Sequence, residues 1–265
     1  MSAALDLQEP ATMDMSSDRP ALGAILSVED LTVSFDGFRA VDGLSLSVAQ
    51  DELRVIIGPN GAGKTTLLDI ICGKTRPSAG RVMFQGRDLV RMAEFDIVRA
   101  GVGRKFQTPS VYEDLTVQEN FEISLPNAHG VVRSLRFRRT AEIRGCIQAM
   151  AGQVFLADRL DEKAGRLSHG QKQWLEIGML LMQNPQLLLL DEPVAGMSPR
   201  EREQTAELLV RISRGKSVVV IEHDMDFVKR IAHKVTVLHQ GRLLSEGTVA
   251  EVQADPRVLD VYLGH

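Results

Sequence analysis

A glycine-rich segment between an apolar run and a helical pattern constrains the fold more than any other part of this sequence. The run Leu53–Ile57 is rich in β-branched residues, and GPNGAGKT follows it with the spacing GxxxxGK[ST]. A helical pattern occupies residues 65–72. This order of strand, loop and helix predicts a nucleotide-binding α/β unit, because the glycines let backbone N–H groups converge on phosphate oxygens at a helix N-terminus.

The individual residues of this loop have distinct expected roles. Lys64 is expected to reach the β and γ phosphates, and the Thr65 hydroxyl is expected to bind Mg²⁺. The other interpretation, a glycine-rich structural turn, does not account for the strand before the loop and the helix after it. The residues expected to contact the nucleotide are Gly58, Pro59, Asn60, Gly61, Ala62, Gly63, Lys64, Thr65 and Thr66.

A second buried-type run, residues 187–190, ends in two carboxylates, Asp191 and Glu192. Open α/β sheets bind ligands at the carboxyl ends of their strands. Because adjacent residues on a strand point to opposite sides, we expect the two acids to act differently. Asp191 is the candidate Mg²⁺ ligand, and Glu192 the candidate for polarising the attacking water. Alone, such a strand end more often marks a solvated turn, but the phosphate loop in the same chain favours a functional role.

The rest of the chain has the pattern of an α/β protein with an insertion. Residues 26–35 and 44–48 alternate apolar and polar side chains, which predicts two antiparallel strands. From about residue 108 to 166, helical spacing replaces the β-branched runs and indicates a helical lobe. Strands resume at residues 187–190 and at Ser217–Ile221, each followed by a helical segment.

Composition and charge argue against several classes of protein. Thirty-one Lys plus Arg and 35 Asp plus Glu give a net charge of −4, so no global positive field favours nucleic acid. The main cluster of one sign, Arg133, Arg136, Arg138 and Arg139, is typical of a solvated helix face. The apolar runs are far shorter than the roughly 18 to 20 residues that cross a bilayer. Two cysteines, Cys72 and Cys146, suggest neither a disulfide framework nor a metal site, which favours a reducing compartment.

The first 25 residues carry acids and prolines where a signal peptide would have a basic start and an apolar stretch. They are predicted to form a flexible N-terminal tail.

Three further elements complete a recognisable set. The pentapeptide Leu167-Ser168-His169-Gly170-Gln171 precedes the acidic strand end, His223 follows the strand Ser217–Ile221, and Gln107 opens the helical lobe. In kind and order these motifs resemble those of the ATP-binding cassette (ABC) ATPases. The resemblance extends over residues 26–265.

This resemblance implies a fold and its division into parts. The fold would be the α/β P-loop NTPase cassette, with a mixed-sheet core, a small antiparallel β subdomain and an inserted helical subdomain. Residues 26–107 and 184–265 would form the RecA-like and antiparallel β core. Residues 108–183 would form the helical subdomain with the signature motif.

The resemblance also implies roles for the pentapeptide. In this family it is usually LSGGQ, and it binds the γ-phosphate of an ATP molecule held by the opposing subunit. Nucleotide contacts are therefore expected from Ser168, Gly170 and Gln171. Without the resemblance, Ser168 would be interpreted as an ordinary helix N-cap.

Other roles follow in the same way. Gln107 resembles the Q-loop glutamine, which senses Mg²⁺ or water where the membrane partner docks, and His223 resembles the switch histidine, which contacts the γ-phosphate and orients Glu192. Phe35 resembles the aromatic residue that stacks on adenine, with Phe38 as the alternative. Alone, such a histidine and such phenylalanines are more often structural. The implied catalytic residues are Glu192, His223, Lys64 and Gln107, and the implied metal site comprises Thr65, Gln107 and Asp191.

Two positions depart from the family pattern. His169 stands where a glycine usually follows the serine, so its Cβ could crowd the nucleotide. Ser198 stands where an aspartate usually ends the D-loop, residues 195–198, which calls its usual cross-subunit contact into question.

Finer matches favour one branch of the family. Residues 105–110, 168–181 and 193–197 resemble the ATP-binding subunits of urea importers. The related branched-chain amino-acid importers have cassettes that end in a Tyr-Leu-Gly like residues 262–264. The resemblance implies ATP with Mg²⁺ and a second cassette as dimer partner. It further implies two transmembrane permeases, indirectly a periplasmic solute-binding protein, no nucleic acid, and a location at the cytoplasmic face of the inner membrane.

Three other functions fit part of this pattern. The first is a branched-chain amino-acid importer ATPase. The second is a soluble ABC ATPase without a permease, which one phosphate loop and a short helical lobe disfavour. The third is a catalytically inactive nucleotide-binding regulator, which the presence of Lys64, Asp191, Glu192 and His223 disfavours.

Overall fold

The described part of the chain contains ten strands in two sheets. The computed structural model describes residues 23–105, 110–126 and 140–263, without the side chains of 262 and 263. The strands are β1 (Ala24–Phe35), β2 (Phe38–Ala49), β3 (Leu53–Ile57), β4 (Ala79–Phe84), β5 (Arg87–Asp88), β6 (Val102–Lys105), β7 (Leu187–Asp191), β8 (Ser217–Ile221), β9 (Lys234–His239) and β10 (Arg242–Gly247).

The smaller sheet is antiparallel and is built around the hairpin of β1 and β2, in the order β2-β1-β4-β5. The prediction of two antiparallel strands here is confirmed, although both start earlier than expected. Ala24 pairs with Ala49 and Ile25 is buried, so these two residues belong to β1 and not to the predicted tail. Pairing continues to Phe35 and Phe38 beside the turn, so β2 begins at Phe38. Residues 1–22 lie outside the described residues.

The larger sheet is mixed, with the order β10-β9-β3-β8-β7-β6. Five strands are parallel, and β10 runs antiparallel to β9. Strands β3, β7 and β8 are buried along their full length, as the apolar runs predicted. Because these three strands are neighbours and parallel, the segments that follow them meet at one edge of the sheet.

Nine α-helices lie within the described residues. They are α1 (Lys64–Ile71), α2 (Glu94–Ala100), α3 (Val117–Ile123), α4 (Ala141–Gln153), α5 (His169–Met182), α6 (Pro199–Ile212), α7 (Met225–Ile231), α8 (Val249–Ala254) and α9 (Pro256–Leu263). The helix predicted over residues 65–72 is α1. Nowhere in these described ranges is a helix both long and apolar enough for a membrane span.

The helical lobe is represented by α3 and α4, which lie between β6 and β7 in the chain and pack against α5. The packing is close, because a Cβ at Gly178 of α5 would come within 2.7 Å of the Phe121 ring of α3. Phe121 and Trp174 belong to one apolar core, and the hairpin and α1 belong to a second. The arginine cluster at residues 133–139 lies outside the described residues.

Candidate nucleotide-binding site

The phosphate loop, residues 58–65, follows β3 and has a backbone path that requires glycine. Gly58 and Gly63 have φ values of +152° and +96°. A Cβ at Gly58 would lie 2.2 Å from the Leu238 carbonyl oxygen, and one at Gly63 would lie 2.4 Å from the Ala40 carbonyl oxygen. Gly61 also has a positive φ, of +80°, but an added Cβ there would meet nothing within 4 Å. The loop is therefore fixed by its glycines and open above Gly61.

The N-terminus of α1 is free of a side-chain cap. Its N-cap residue is Gly63, and no side chain among the described residues caps this end. Backbone N–H groups in the first turn of a helix attract anions when no cap occupies them. This end of α1 is therefore suited to phosphate.

Lys64 is held across the loop. Its Nζ donates hydrogen bonds to the carbonyl oxygens of Gly58, at 2.7 Å, and Pro59, at 2.9 Å. Partial burial lowers the pKa of Lys64 below its usual value, although the nearby carboxylates of Glu192 and Asp191 oppose this. The ammonium group is thus positioned at the loop before any ligand arrives.

The loop opens into a cavity of about 380 Å³ that collects most of the predicted site residues. Among the described residues, the lining comprises Phe35, Phe38, Ala40, Asn60, Gly61, Ala62, Gly63, Lys64, Thr65, Thr66, Asp191, Glu192 and Ile221. Phe35 and Phe38 are both largely exposed at its mouth, at 49% and 65%. Either ring can therefore receive a base.

Asp191 and Thr65 form the candidate metal site. The Asp191 carboxylate is buried at the end of β7, and the Thr65 hydroxyl hydrogen-bonds to it. Burial raises the pKa of Asp191, while Arg104, with Nη2 3.9 Å from Oδ2, opposes the rise. Mg²⁺ usually takes one or two carboxylates together with substrate phosphates. The residues present fit such an ion, and the described residues hold no cluster of three or more acids, histidines or cysteines that could bind a metal by itself.

Glu192 and His223 are brought together by the ends of β7 and β8. His223 Nδ1 lies 3.7 Å from Glu192 Oε1. The two acids were expected to point to opposite sides because they are neighbours on a strand. This reason is wrong, because β7 ends at Asp191 and Glu192 adopts a left-handed φ of +45°. The Glu192 N–H donates to the Ile221 carbonyl oxygen at 3.0 Å, which fixes this turn. The two carboxylates still occupy different environments, since Asp191 is buried and Glu192 is partly exposed.

Two glutamates near the site were not predicted. Glu222, directly after β8, is buried and accepts hydrogen bonds from the N–H groups of Val194, at 3.4 Å, and His223, at 3.1 Å. Burial raises its pKa, and these hydrogen bonds oppose the rise. Glu222 therefore ties the segment after Glu192 to the segment that carries His223. No motif rule marked it, because its partners are backbone groups.

Gln107 lies in the segment 106–109, outside the described residues. Lys105 and Ser110, on either side of this segment, share the buried partner Glu176. Ser110 N–H donates to Glu176 Oε1 at 3.2 Å, and Lys105 Nζ lies 4.0 Å from Glu176 Oε2. Lys105 and Glu176 are both buried. Burial raises the pKa of Glu176 to about 7, while Lys105 and the Ser110 N–H oppose the rise. This second unpredicted glutamate fastens β6 to α5.

The signature turn, residues 168–171, stands apart from the cavity. Ser168 is the N-cap of α5 and forms a capping box with Gln171, so the helix-cap interpretation is correct for the single chain. Its Oγ accepts from the Gln171 N–H at 3.2 Å and donates to Glu201 Oε1 at 3.1 Å. Neither Ser168, Gly170 nor Gln171 is among the described residues that line the cavity. The predicted nucleotide contacts of these three are therefore not formed within one chain.

The sequence of this chain matches two related protein families. A family described as ABC transporter matches residues 41–195, and one described as branched-chain amino acid ATP-binding cassette transporter matches residues 242–265. The Pseudomonas aeruginosa high-affinity branched-chain amino acid transport ATP-binding protein BraF is 33% identical over 250 residues, covering 91% of this chain and 98% of that protein. Escherichia coli LivG, with the same description, is 31% identical over 249 residues, covering 91% and 98%.

Solved structures give the same result. A nucleotide-free ATP-binding cassette from an ABC transporter superposes with a TM-score of 0.80 at 31% identity, over 91% of this chain and 100% of that one. The ADP conformation of an ATP-binding cassette superposes with a TM-score of 0.78 at 30% identity, over 91% and 99%. The predicted cassette fold is confirmed. This chain therefore belongs to the ABC transporter ATP-binding proteins of the branched-chain amino acid type, a family of ATPases that bind ATP with Mg²⁺.

Proposed function

We propose that this chain is the ATP-hydrolysing subunit of a solute importer and acts as one half of a dimer of cassettes. The observation that carries the proposal is the division of the site between two places. The cavity is lined by the phosphate loop and the acidic strand end, whereas the signature turn is not part of its described lining and exposes Ser168 and His169 at the start of α5. Two chains are then needed to complete one site.

Within one chain, each group of the cavity has a task that its position supports. Lys64 and the uncapped N–H groups of α1 bind the β and γ phosphates. Thr65 and Asp191, together with Gln107, would hold Mg²⁺, and the ion would supply charge neutralisation at the phosphates.

Glu192 and His223 catalyse the hydrolysis. Glu192 orients the attacking water and takes its proton, and His223, 3.7 Å from it, holds Glu192 in place and contacts the γ-phosphate. Loss of the γ-phosphate removes the charge-assisted hydrogen bonds that join the two chains. The dimer then opens, and this change is passed to the permeases.

The test of catalysis is Glu192→Gln, which keeps the shape of the side chain but removes its proton acceptor. We expect hydrolysis to fall about a hundredfold or more, with ATP retained and a closed dimer trapped. The matched control is Glu203→Gln, at an exposed glutamate paired with Arg230 on α6 and α7. Hydrolysis by the Glu192→Gln chain at the unaltered rate would show that the assignment is wrong.

The cassette is proposed to dock on two permeases at the cytoplasmic face of the membrane, with a second cassette and, indirectly, a solute-binding protein. Copurification with a permease tests this against a soluble ABC ATPase. The described relatives act in branched-chain amino acid transport, which supports that class of solute over urea. The urea prediction keeps its own support in the resemblance of residues 168–181, where His169 follows the serine.

The solute contacts other subunits, so it must be tested in the assembled transporter. ATP hydrolysis by the reconstituted complex is measured with leucine or with urea, in the presence of the solute-binding protein. Stimulation by leucine alone supports the amino-acid importer, and stimulation by urea alone supports the urea importer. A second cassette, two permeases and one type of solute-binding protein among the neighbouring genes would give the same information independently.

A further inference from the structure

The positions at which this chain departs from the family pattern lie in one network of contacts. Ser198 caps α6 in a capping box with Glu201, whose Oε2 accepts from both the N–H and the hydroxyl of Ser198 at 2.8 Å. The other oxygen of the same carboxylate, Oε1, accepts from the Ser168 hydroxyl at 3.1 Å. Ser168 itself belongs to the capping box of α5. One carboxylate therefore joins the D-loop to the signature turn.

Packing reinforces this connection. A Cβ at Gly170 would lie 2.5 Å from Glu201 Oε1, so glycine is required for the carboxylate to approach the signature turn. The His169 ring lies against the D-loop, because a Cβ at Gly196 would come within 3.2 Å of its Cδ2. Gln173 Nε2 lies 3.1 Å from His169 Nε2 and steadies the ring. His169 therefore contacts the D-loop directly, whereas Ser198 is connected to the signature turn only through Glu201.

Comparison with the capping box of α8 shows that Glu201 does more than cap a helix. Glu251 closes the box of Thr248 at α8 and accepts from the Thr248 N–H at 2.7 Å and its hydroxyl at 2.9 Å. Glu201 makes the equivalent pair of bonds to Ser198 and the additional one to Ser168. Burial alone would raise the pKa of Glu201, but the bonds from Ser198 and Ser168 outweigh it, so the pKa lies below its usual value. Glu201 is therefore the charged acceptor of this network.

The additional bond has a chemical consequence. A serine hydroxyl has one proton to donate, and phosphate oxygens, like a carboxylate, accept hydrogen bonds. In the single chain the Ser168 proton is directed to Glu201. A γ-phosphate that contacts this hydroxyl must compete with Glu201 for the proton, and the two anions repel one another.

We propose that Glu201 is a positioning residue that holds the Ser168 proton in the open chain and releases it when the signature turn binds the γ-phosphate of the partner's ATP. This inference rests on the proposed dimer of cassettes. Because Glu201 also caps the helix that follows the D-loop, release of Ser168 is coupled to the position of that loop. The contact therefore sets how much ATP is needed to close the dimer.

The test is Glu201→Gln. A capping box accepts glutamine as well as glutamate, so the amide oxygen keeps the bond from the Ser198 N–H. The amide NH₂ then faces Ser168 as a donor, which leaves the Ser168 proton available, and one negative charge is lost. Association of the full-length chain, with any cassette that copurifies, is measured by sedimentation against a non-hydrolysable ATP analogue. We expect the analogue concentration that gives half-maximal association to be about fivefold lower for the Glu201→Gln chain than for the unaltered chain.

The matched control is Glu251→Gln, which makes the same change in a capping box of α8, and it is expected to leave association unchanged. In the ATPase assay, Glu201→Gln is expected to lower the KM for ATP and to change kcat less. A merely structural effect would not separate the two constants in this way. Thermal unfolding verifies that both variants fold.

A double variant tests whether Ser168 is the mediator. In a Ser168→Ala background, the improvement in association caused by Glu201→Gln is expected to shrink, because the Ser168 hydroxyl proton is no longer present to be released. An undiminished gain, or a Glu201→Gln chain that associates like the Glu251→Gln chain or more weakly, would overturn the inference. If the unaltered chain fails to associate with the analogue at all, the proposed dimer function itself is wrong.

Discussion

The N-termini of α1 and α5 are both proposed to bind phosphate, but the chain prepares them in opposite ways. Gly63 begins α1 without a side-chain cap among the described residues, whereas Ser168 caps α5 through a complete capping box with Gln171. An uncapped helix end leaves its N–H groups for a ligand, and a capped end is satisfied by its own chain. The first is thus a site waiting for phosphate, and the second is a stable surface that must rearrange a hydrogen bond to bind one.

The surroundings of the two helix ends differ in the same sense. The phosphate loop is fixed by positive φ angles and by Lys64, which is bonded to the loop. In the signature turn Ser168 is exposed, and its hydroxyl is bonded to the Glu201 carboxylate. This difference suits a machine in which one chain holds ATP tightly and its partner binds the same ATP reversibly.

The largest expected effect is at the N-terminus of α1. Lys64→Ala removes the charge that the loop holds at the phosphates, and we expect a loss of hydrolysis of about a thousandfold with a loss of ATP binding. ATP binding by calorimetry and phosphate release measure the two effects. Lys74→Ala, at an exposed lysine just beyond α1, is the control and should change neither. ATP binding that survives in the Lys64→Ala chain would remove the basis for calling this end the primary site.

Ser168→Ala tests the other end. We expect about a hundredfold loss of hydrolysis and weaker, but still measurable, ATP-driven association, because one donor to the developing charge is missing. Binding of ATP to the single chain should remain unchanged, since Ser168 is not among the described residues that line the cavity. Loss of the N-cap also costs about 1 kcal/mol of stability. A Ser168→Ala chain that binds ATP more weakly as a monomer would contradict the separation of the two ends.

The sequence predicted the loop and the helix that meet at the N-terminus of α1, because their determinants are local. The glycines and Lys64 lie within eight positions between a strand and a helix, and Asp191 directly ends its strand. The contacts that join different parts of the chain could not be read in this way. Glu201 and Ser168 are 33 positions apart, and composition does not mark their meeting.

The same limit applies to buried charge. Arg54 interrupts the apolar run of β3 and would be expected at the surface. In the structure it is buried, with hydrogen bonds to Glu52 at 2.5 Å and to Thr236 at 2.7 Å, and with an ion pair to Glu246. Partners on β9 and β10 make this burial possible, and they become neighbours only after the sheet has formed.

Glu176 lies on α5, the helix of the signature turn, and its carboxylate is 4.0 Å from the Lys105 ammonium group at the end of β6. Burial raises its pKa from 4.5 to about 7, so the folded chain retains a proton there that the unfolded chain releases at lower pH. The folded state therefore binds more protons between these two values, and its stability falls as the pH rises through them. Glu176→Gln removes the titrating group.

We expect the free energy of unfolding of the Glu176→Gln chain to fall less than that of the unaltered chain between about pH 4.5 and 7, by on the order of 2 kcal/mol. Urea denaturation at several pH values measures this difference. Glu207→Gln, at an exposed glutamate of α6, is the control and should follow the unaltered chain. Parallel pH profiles for both variants would show that Glu176 is charged in the folded protein over this range.

The smallest expected effect concerns the base rather than the phosphates. Phe35 and Phe38 face each other across the β1–β2 turn and both line the cavity, so either can stack on adenine. From the family resemblance we expect Phe35→Ala to weaken ATP binding about tenfold and Phe38→Ala to have less effect. Inorganic triphosphate, which has no base, should bind the unaltered and Phe35→Ala chains equally. A larger loss in Phe38→Ala would move the stacking role to that ring, and an equal loss for triphosphate would show that the hairpin supports the phosphate loop itself.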